Sequence, residues 1–157
     1  MTESTMATLY HQVWINASTA KVYAAIATEK GIGGWWDPPK VTRSDGGMTL
    51  EFSPGPEHGL LKARVVAMVP DERVEWEFIS THPTTSPASA WTGTRAGFAI
   101  TRRQVPPWSP ERVDMAILDF RHSGWDEGSE YLGFCNFAWA ETLQRLKRWC
   151  ETPDVSG

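Results

Sequence analysis

Apolar and polar positions alternate through most of the chain, and the alternation predicts a sheet framed by two helices. In residues 9–15, Leu9, His11, Val13 and Ile15 fall on one face and Tyr10, Gln12 and Trp14 on the other, the period of two expected of a strand. Ser18 then stands where a helix cap belongs. Val22, Tyr23, Ile26 and Ala27 share one helical face, and Gly31 is placed for a left-handed stop. From Asp45 onward the pattern predicts a meander of about five strands bounded by glycine, proline or charged turn residues. Met48, Leu50 and Phe52 align in the first, while residues 60–69 slip out of phase, which predicts a bulge. Val74, Trp76 and Phe78 oppose Glu75 and Glu77. Thr94, Ala96, Phe98 and Ile100 share a face, as do Ala116, Leu118, Phe120 and His122. The longest helix is predicted from about Gly128 to Glu151. Tyr131, Leu132, Cys135, Ala138, Trp139, Thr142, Leu143 and Leu146 form its apolar stripe, and Arg145, Lys147 and Arg148 suit its negative end. The resulting fold class is α+β, with one antiparallel sheet and the helices on one side of it.

Composition narrows this picture. The 157 residues suit a single domain spanning 1–157, and 41% hydrophobic with 22% charged residues is ordinary for a globular protein. Nine tryptophans are not ordinary, and rings of that size must dominate the interior or line something in it. A net charge of −4 without a basic run argues against nucleic acid. The longest apolar run, residues 65–69, is far too short to insert in a membrane, and a cytoplasmic location is expected. Cys135 and Cys150 fall on one helix roughly 22 Å apart, too far to be bridged, so both are expected as thiols. The histidines and cysteines occur without metal-ligand spacing; no metal or cofactor is expected.

The segments VYAAIATEKGIGGWW, DGG, PDERVEWEF, TRAGFAI, HSGW and FAWAETLQRLKRW, in this order and spacing, resemble the activator of Hsp90 ATPase homologues within the START-like (SRPBCC) superfamily. The resemblance covers nearly the whole chain. It implies a helix-grip fold, in which a strongly curved antiparallel sheet wraps around the long C-terminal helix and leaves a deep apolar cavity. It also implies a small hydrophobic partner, lipid-like, aromatic or polyketide-like, and a monomer or homodimer. Two loops depart from what the resemblance leads one to expect, 82–93 in being long and 104–111 in replacing a short glycine turn, and both are expected at the cavity mouth.

The candidate site follows from the concave face. Trp35 and Trp36 would cross the open end of the grip, one ring packing inward and the other covering the entrance. Trp76, Phe78, Phe98, Leu118, Phe120 and His122 would form the sheet wall. On the long helix, Tyr131, Phe134, Cys135 and Ala138 would line the cavity, whereas Trp139, Leu143 and Leu146 would clamp helix to sheet. A histidine among apolar neighbours needs a hydrogen-bond partner, and His11 and His122 both point inward. The reading these residues favour is non-catalytic or regulatory binding of a small hydrophobic ligand. The alternatives are a cyclase or hydrolase using His122 with Tyr131 or Asp114, and a chaperone-accessory protein of the stress response.

Overall fold

A computed structural model describes residues 5–44 and 46–153; Asp45, part of the expected DGG turn, lies outside them. Seven strands form one antiparallel sheet in the order β1-β7-β6-β5-β4-β3-β2. They are β1 (Met6–Ile15), β2 (Lys40–Ser44), β3 (Gly47–Phe52), β4 (Leu61–Val69), β5 (Arg73–Phe78), β6 (Arg95–Val105) and β7 (Val113–Asp126). The helices are α1 (Thr19–Ala27), α2 (Glu29–Gly33) and α3 (Leu132–Glu151). The sheet is curved, and α3 buries Cys135, Trp139, Leu143, Leu146 and Cys150. The expected slip in residues 60–69 is a register shift between Val65 and Ala67, and β1 carries a second one between Ala7 and Leu9.

The chain between β1 and β2 differs from expectation in a way that positions the site. Ser18 caps α1 by accepting from the Lys21 amide, as the sequence suggested. Gly31, however, is not a left-handed stop but a member of α2. Thr28 ends α1 by donating its hydroxyl to Ala24 O (2.7 Å) and starts α2 by accepting from Gly31 N (2.9 Å). A Cβ on Gly31 would lie 1.9 Å from the Ala24 carbonyl oxygen, so glycine is needed for close approach rather than for its dihedral angles. This sharp α1–α2 corner delivers Trp35 and Trp36 to the concave side of the sheet.

Two further expectations are corrected. The loop at 104–111 does not reach the grip's mouth: its Trp108 is 78% exposed and its ring lies 5.9 Å from Trp14, on the outer face of the sheet. β2, absent from the predicted meander, forms one edge of the sheet. Cys135 and Cys150 are both buried thiols. Asp114 sits at the rim in an ion pair with Arg102 at 2.8 Å. Among the described residues no helix is long and apolar enough to cross a membrane.

Candidate ligand site

The inner face of the sheet carries an almost continuous layer of rings. Alternation on β5, β6 and β7 turns Trp76, Phe78, Phe98, Phe120 and His122 toward α3, and all five are buried. Trp139 of α3 meets this layer, 4.4 Å from Phe120 between ring centroids. Trp91, at the end of the 80–90 loop, stacks on Trp139 at 5.6 Å and 14°. Trp36 then enters from the α2 side: it is 4.6 Å from Phe52, 5.5 Å from Trp139, and parallel to Trp76 at 6.1 Å and 8°.

His122 is locked into this layer by three other residues. The Trp139 indole N–H donates to His122 Nδ1 at 3.0 Å, which makes Nδ1 an acceptor and leaves the proton on Nε2. Nε2–H therefore donates to Thr94 Oγ1 at 2.7 Å, and Thr94 passes its own hydroxyl proton toward the Trp91 carbonyl. Full burial holds the imidazole neutral, its pKa pushed down to about 3 by loss of hydration. Both ring nitrogens are occupied, so His122 offers neither a free base nor a free donor to a substrate. His11 faces inward as expected, its ring 6.1 Å from Phe120, and its buried Nε2 has no hydrogen-bond partner among the described residues.

The two adjacent tryptophans have different anchoring. Trp35 is 2% exposed and its indole N–H donates to Ala25 O at 2.7 Å, tying it beneath α1. Trp36 is half-buried, and its indole makes no hydrogen bond with a described residue. Beside it lies a void of about 70 Å³ lined by Trp36, Trp91, Cys135, Ala138, Trp139 and Thr142. That space holds about two waters, against the several hundred Å³ of a ligand cavity. The deep hollow expected from the resemblance is thus filled by the protein's own rings.

No protein-family model and no curated protein matches the sequence. Solved structures do match. Aha1 from Colwellia psychrerythraea, solved as a dimer, is 26% identical over 92% of this chain and 96% of its own, with a TM-score of 0.69. The protein MLL2253 from Mesorhizobium loti is 17% identical with a TM-score of 0.70, covering 95% of this chain and 100% of that one. DynU16, a protein in the dynemicin biosynthetic locus, is 16% identical with a TM-score of 0.66, over 92% of this chain and 47% of its own. This chain has an Aha1-like START/SRPBCC fold.

Within that fold the expected wall residues Trp76, Phe78, Phe98, Leu118, Phe120 and His122 come together as a buried layer, and Cys135 and Ala138 line the small void. Tyr131 stands at the rim, its hydroxyl donating to Thr84 O at 2.6 Å and thereby tying the start of α3 to the 80–90 loop. Phe134 does not line the interior: it is 63% exposed on the outer side of α3. Trp139, expected as a clamp, belongs to the lining. Trp91 and Thr142 complete it. Trp91 was signalled by being the single aromatic residue in its otherwise polar loop; Thr142 carried no signal beyond its place on the stripe.

The same long loop is pinned from outside. His58 and Ser86 meet at 2.6 Å (Nδ1 to Oγ), and His82 bonds Ser80 Oγ at 2.8 Å and His58 O at 2.5 Å. Ser86, though beside a histidine, is buried and caps the short 3-10 turn Pro87–Ala90 by accepting from Ala88 N, so it is no exposed nucleophile. Elsewhere, a groove of about 470 Å³ is floored by Gly97 and flanked by Tyr10, Glu75, Asp119 and Arg121, with Phe98 and Phe120 also reaching it.

Proposed function

We propose that the chain is a binding protein for a small, flat hydrophobic molecule that enters the helix grip by taking the place of the Trp36 indole. The observation that carries this reading is the contrast between neighbours. Trp35, Trp91 and Trp139 are each held by an indole hydrogen bond, to Ala25 O, Cys135 Sγ and His122 Nδ1 respectively; Trp76 makes no such bond with a described residue but is held by complete burial. Trp36 is half-exposed on a segment followed by Asp37, Pro38 and Pro39, has no such bond, and borders the residual void. Its flat contact with Trp76 is the kind of stack a ligand ring would reproduce. Among the neighbours in fold, DynU16 is a protein in the dynemicin biosynthetic locus, which agrees with a role in handling small molecules.

Displacing a half-buried indole costs about 2 kcal/mol of apolar burial, which weakens ligand affinity by about 30-fold relative to an open site. The neutral dye N-phenyl-1-naphthylamine tests this directly. Wild-type protein is expected to bind it saturably with quenching of tryptophan emission, Trp36→Ala to bind it on the order of tenfold or more tightly, and Ala138→Trp, which fills the void, to abolish binding. Absence of saturable binding by both wild type and Trp36→Ala overturns the reading, as does binding that Ala138→Trp leaves intact.

A further inference from the structure

The polar groups around Trp36 are unevenly satisfied, and the imbalance has one sign. The mouth beside Trp36 is bordered by Gly34, Asp37, Ser53, Pro54 and Arg145. Asp37 is engaged, its Oδ2 accepting from Ser53 N at 2.8 Å. Arg145 is not: it makes no ion pair or hydrogen bond with any described residue. This is notable because Glu141 stands four residues earlier on α3, the spacing and order that favour a helical ion pair, and the two are unpaired. Arg145, exposed on the helix, instead borders the mouth. Thr142, one turn before Arg145, lines the void, and its hydroxyl also has no described partner. Along one side of α3, then, Ala138 contributes an apolar surface, Thr142 a hydroxyl and Arg145 a cation at the rim, the last two without a partner among the described residues.

From this we infer that the ligand is an aromatic acid: a flat apolar body seated against Trp76, Trp91 and Trp139, with a carboxylate or comparable anion held at the rim by Arg145 and assisted by Thr142. The inference rests on the reading of Trp36 given above and adds to it the charge and shape of what is bound. An arginine fork matches a carboxylate with two parallel N–H donors, a charge-assisted and bidentate contact that the neutral Thr142 hydroxyl cannot supply. The spacing restricts shape as well. Thr142 and Arg145 are about 4.5 Å apart along the helix axis, and Ala138 and Arg145 about 10 Å. The acidic group therefore sits on the ring system or within a few bonds of it, which excludes long-chain fatty acids extended away from the mouth.

Two dyes that share one ring system separate this inference from its foundation. 8-Anilinonaphthalene-1-sulfonate carries an anion that N-phenyl-1-naphthylamine lacks. Wild-type protein is expected to bind the sulfonate on the order of tenfold more tightly than the neutral dye. Arg145→Gln is expected to abolish that preference by weakening the sulfonate's binding; Arg145→Lys is expected to restore part of it. Ala138→Trp is expected to remove both dyes, which places them at this site. Should the neutral dye bind and the sulfonate bind no better, or should the preference survive Arg145→Gln, the aromatic-acid inference is overturned while the binding site stands. Should neither dye bind wild type or Trp36→Ala, the site itself fails and this inference with it.

Discussion

Replacing His122 by glutamine tests the hydrogen-bond chain that holds the ring layer together, and its effect is a change in pH dependence. In the folded protein the imidazole is buried and neutral, with a pKa lowered to about 3 from the ordinary 6.5 by loss of hydration. The unfolded chain binds the proton that the folded chain refuses, so this residue's contribution is favourable above pH 6.5 and is lost as pH falls toward 3. Between pH 7 and pH 5 the loss amounts to about 2 kcal/mol, and it levels off at about 5 kcal/mol below the folded pKa. A glutamine amide can accept from the Trp139 indole and donate to Thr94 without titrating in this range. Urea unfolding followed by tryptophan fluorescence at pH 7, 6 and 5 is expected to give a wild-type curve that falls about 2 kcal/mol further than that of His122→Gln. The difference between the two curves isolates this residue from every other titrating group. Parallel curves would refute the buried neutral imidazole and with it the assigned tautomer. A variant that is uniformly less stable but retains its steeper acid loss would do the same.

Other expectations follow from the corner between α1 and α2. Trp35→Phe removes the donor from the Ala25 carbonyl and leaves space under α1; a loss of about 2–4 kcal/mol is expected in the same urea assay, against about 1 kcal/mol or less for Trp36→Phe. Equal losses would contradict the different anchoring of the two rings. Gly31→Ala places its Cβ 1.9 Å from the Ala24 carbonyl oxygen, so the corner must open; a lowered melting temperature by calorimetry, corresponding to about 3 kcal/mol, is expected, and an unchanged one would show that α1 and α2 are not in contact as described.

Much of the fold is visible in the chain's pattern because burial on one face of a sheet imposes a period of two. The strands from Met48 to His122 obey it, including the slip at Val65. β2 escapes because nothing imposes the period there. It is an edge strand, Lys40, Thr42, Arg43 and Ser44 are exposed, and such charged residues guard an edge without marking a strand. Two misplacements had a geometric remedy within the sequence. Phe134 precedes Trp139 by five residues, about 140° around the helix, so a buried Trp139 turns Phe134 to solvent. Successive antiparallel hairpins turn at opposite ends of a sheet, so the loop after β5 and the loop after β6 could not both reach one mouth. The volume of the interior is different in kind. Alternation tells which face a ring occupies, but whether the rings fill the enclosed space depends on the sheet's curvature, which no local pattern encodes.

The filled interior changes what the fold must do to bind anything. A ready-made cavity would select its ligand by shape alone, whereas here a ligand competes with one of the protein's own side chains. The Trp139–His122–Thr94–Trp91 chain links α3, β7, the residue before β6 and the end of the 80–90 loop, so the rings of Trp139 and His122 and the backbone of Trp91 are fixed by bonds that a small apolar molecule cannot replace. Trp36 is held by stacking and burial, the same interactions that a ligand ring supplies. Exchange of one flat ring for another is close to neutral in apolar contact, which leaves selection to whatever the ligand offers beyond a ring. At this mouth, beyond the rings, the groups without a described partner are the hydroxyl of Thr142 and the guanidinium of Arg145. A neutral aromatic molecule would merely trade places with Trp36, while an aromatic acid gains a charge-assisted contact that the displaced indole never made.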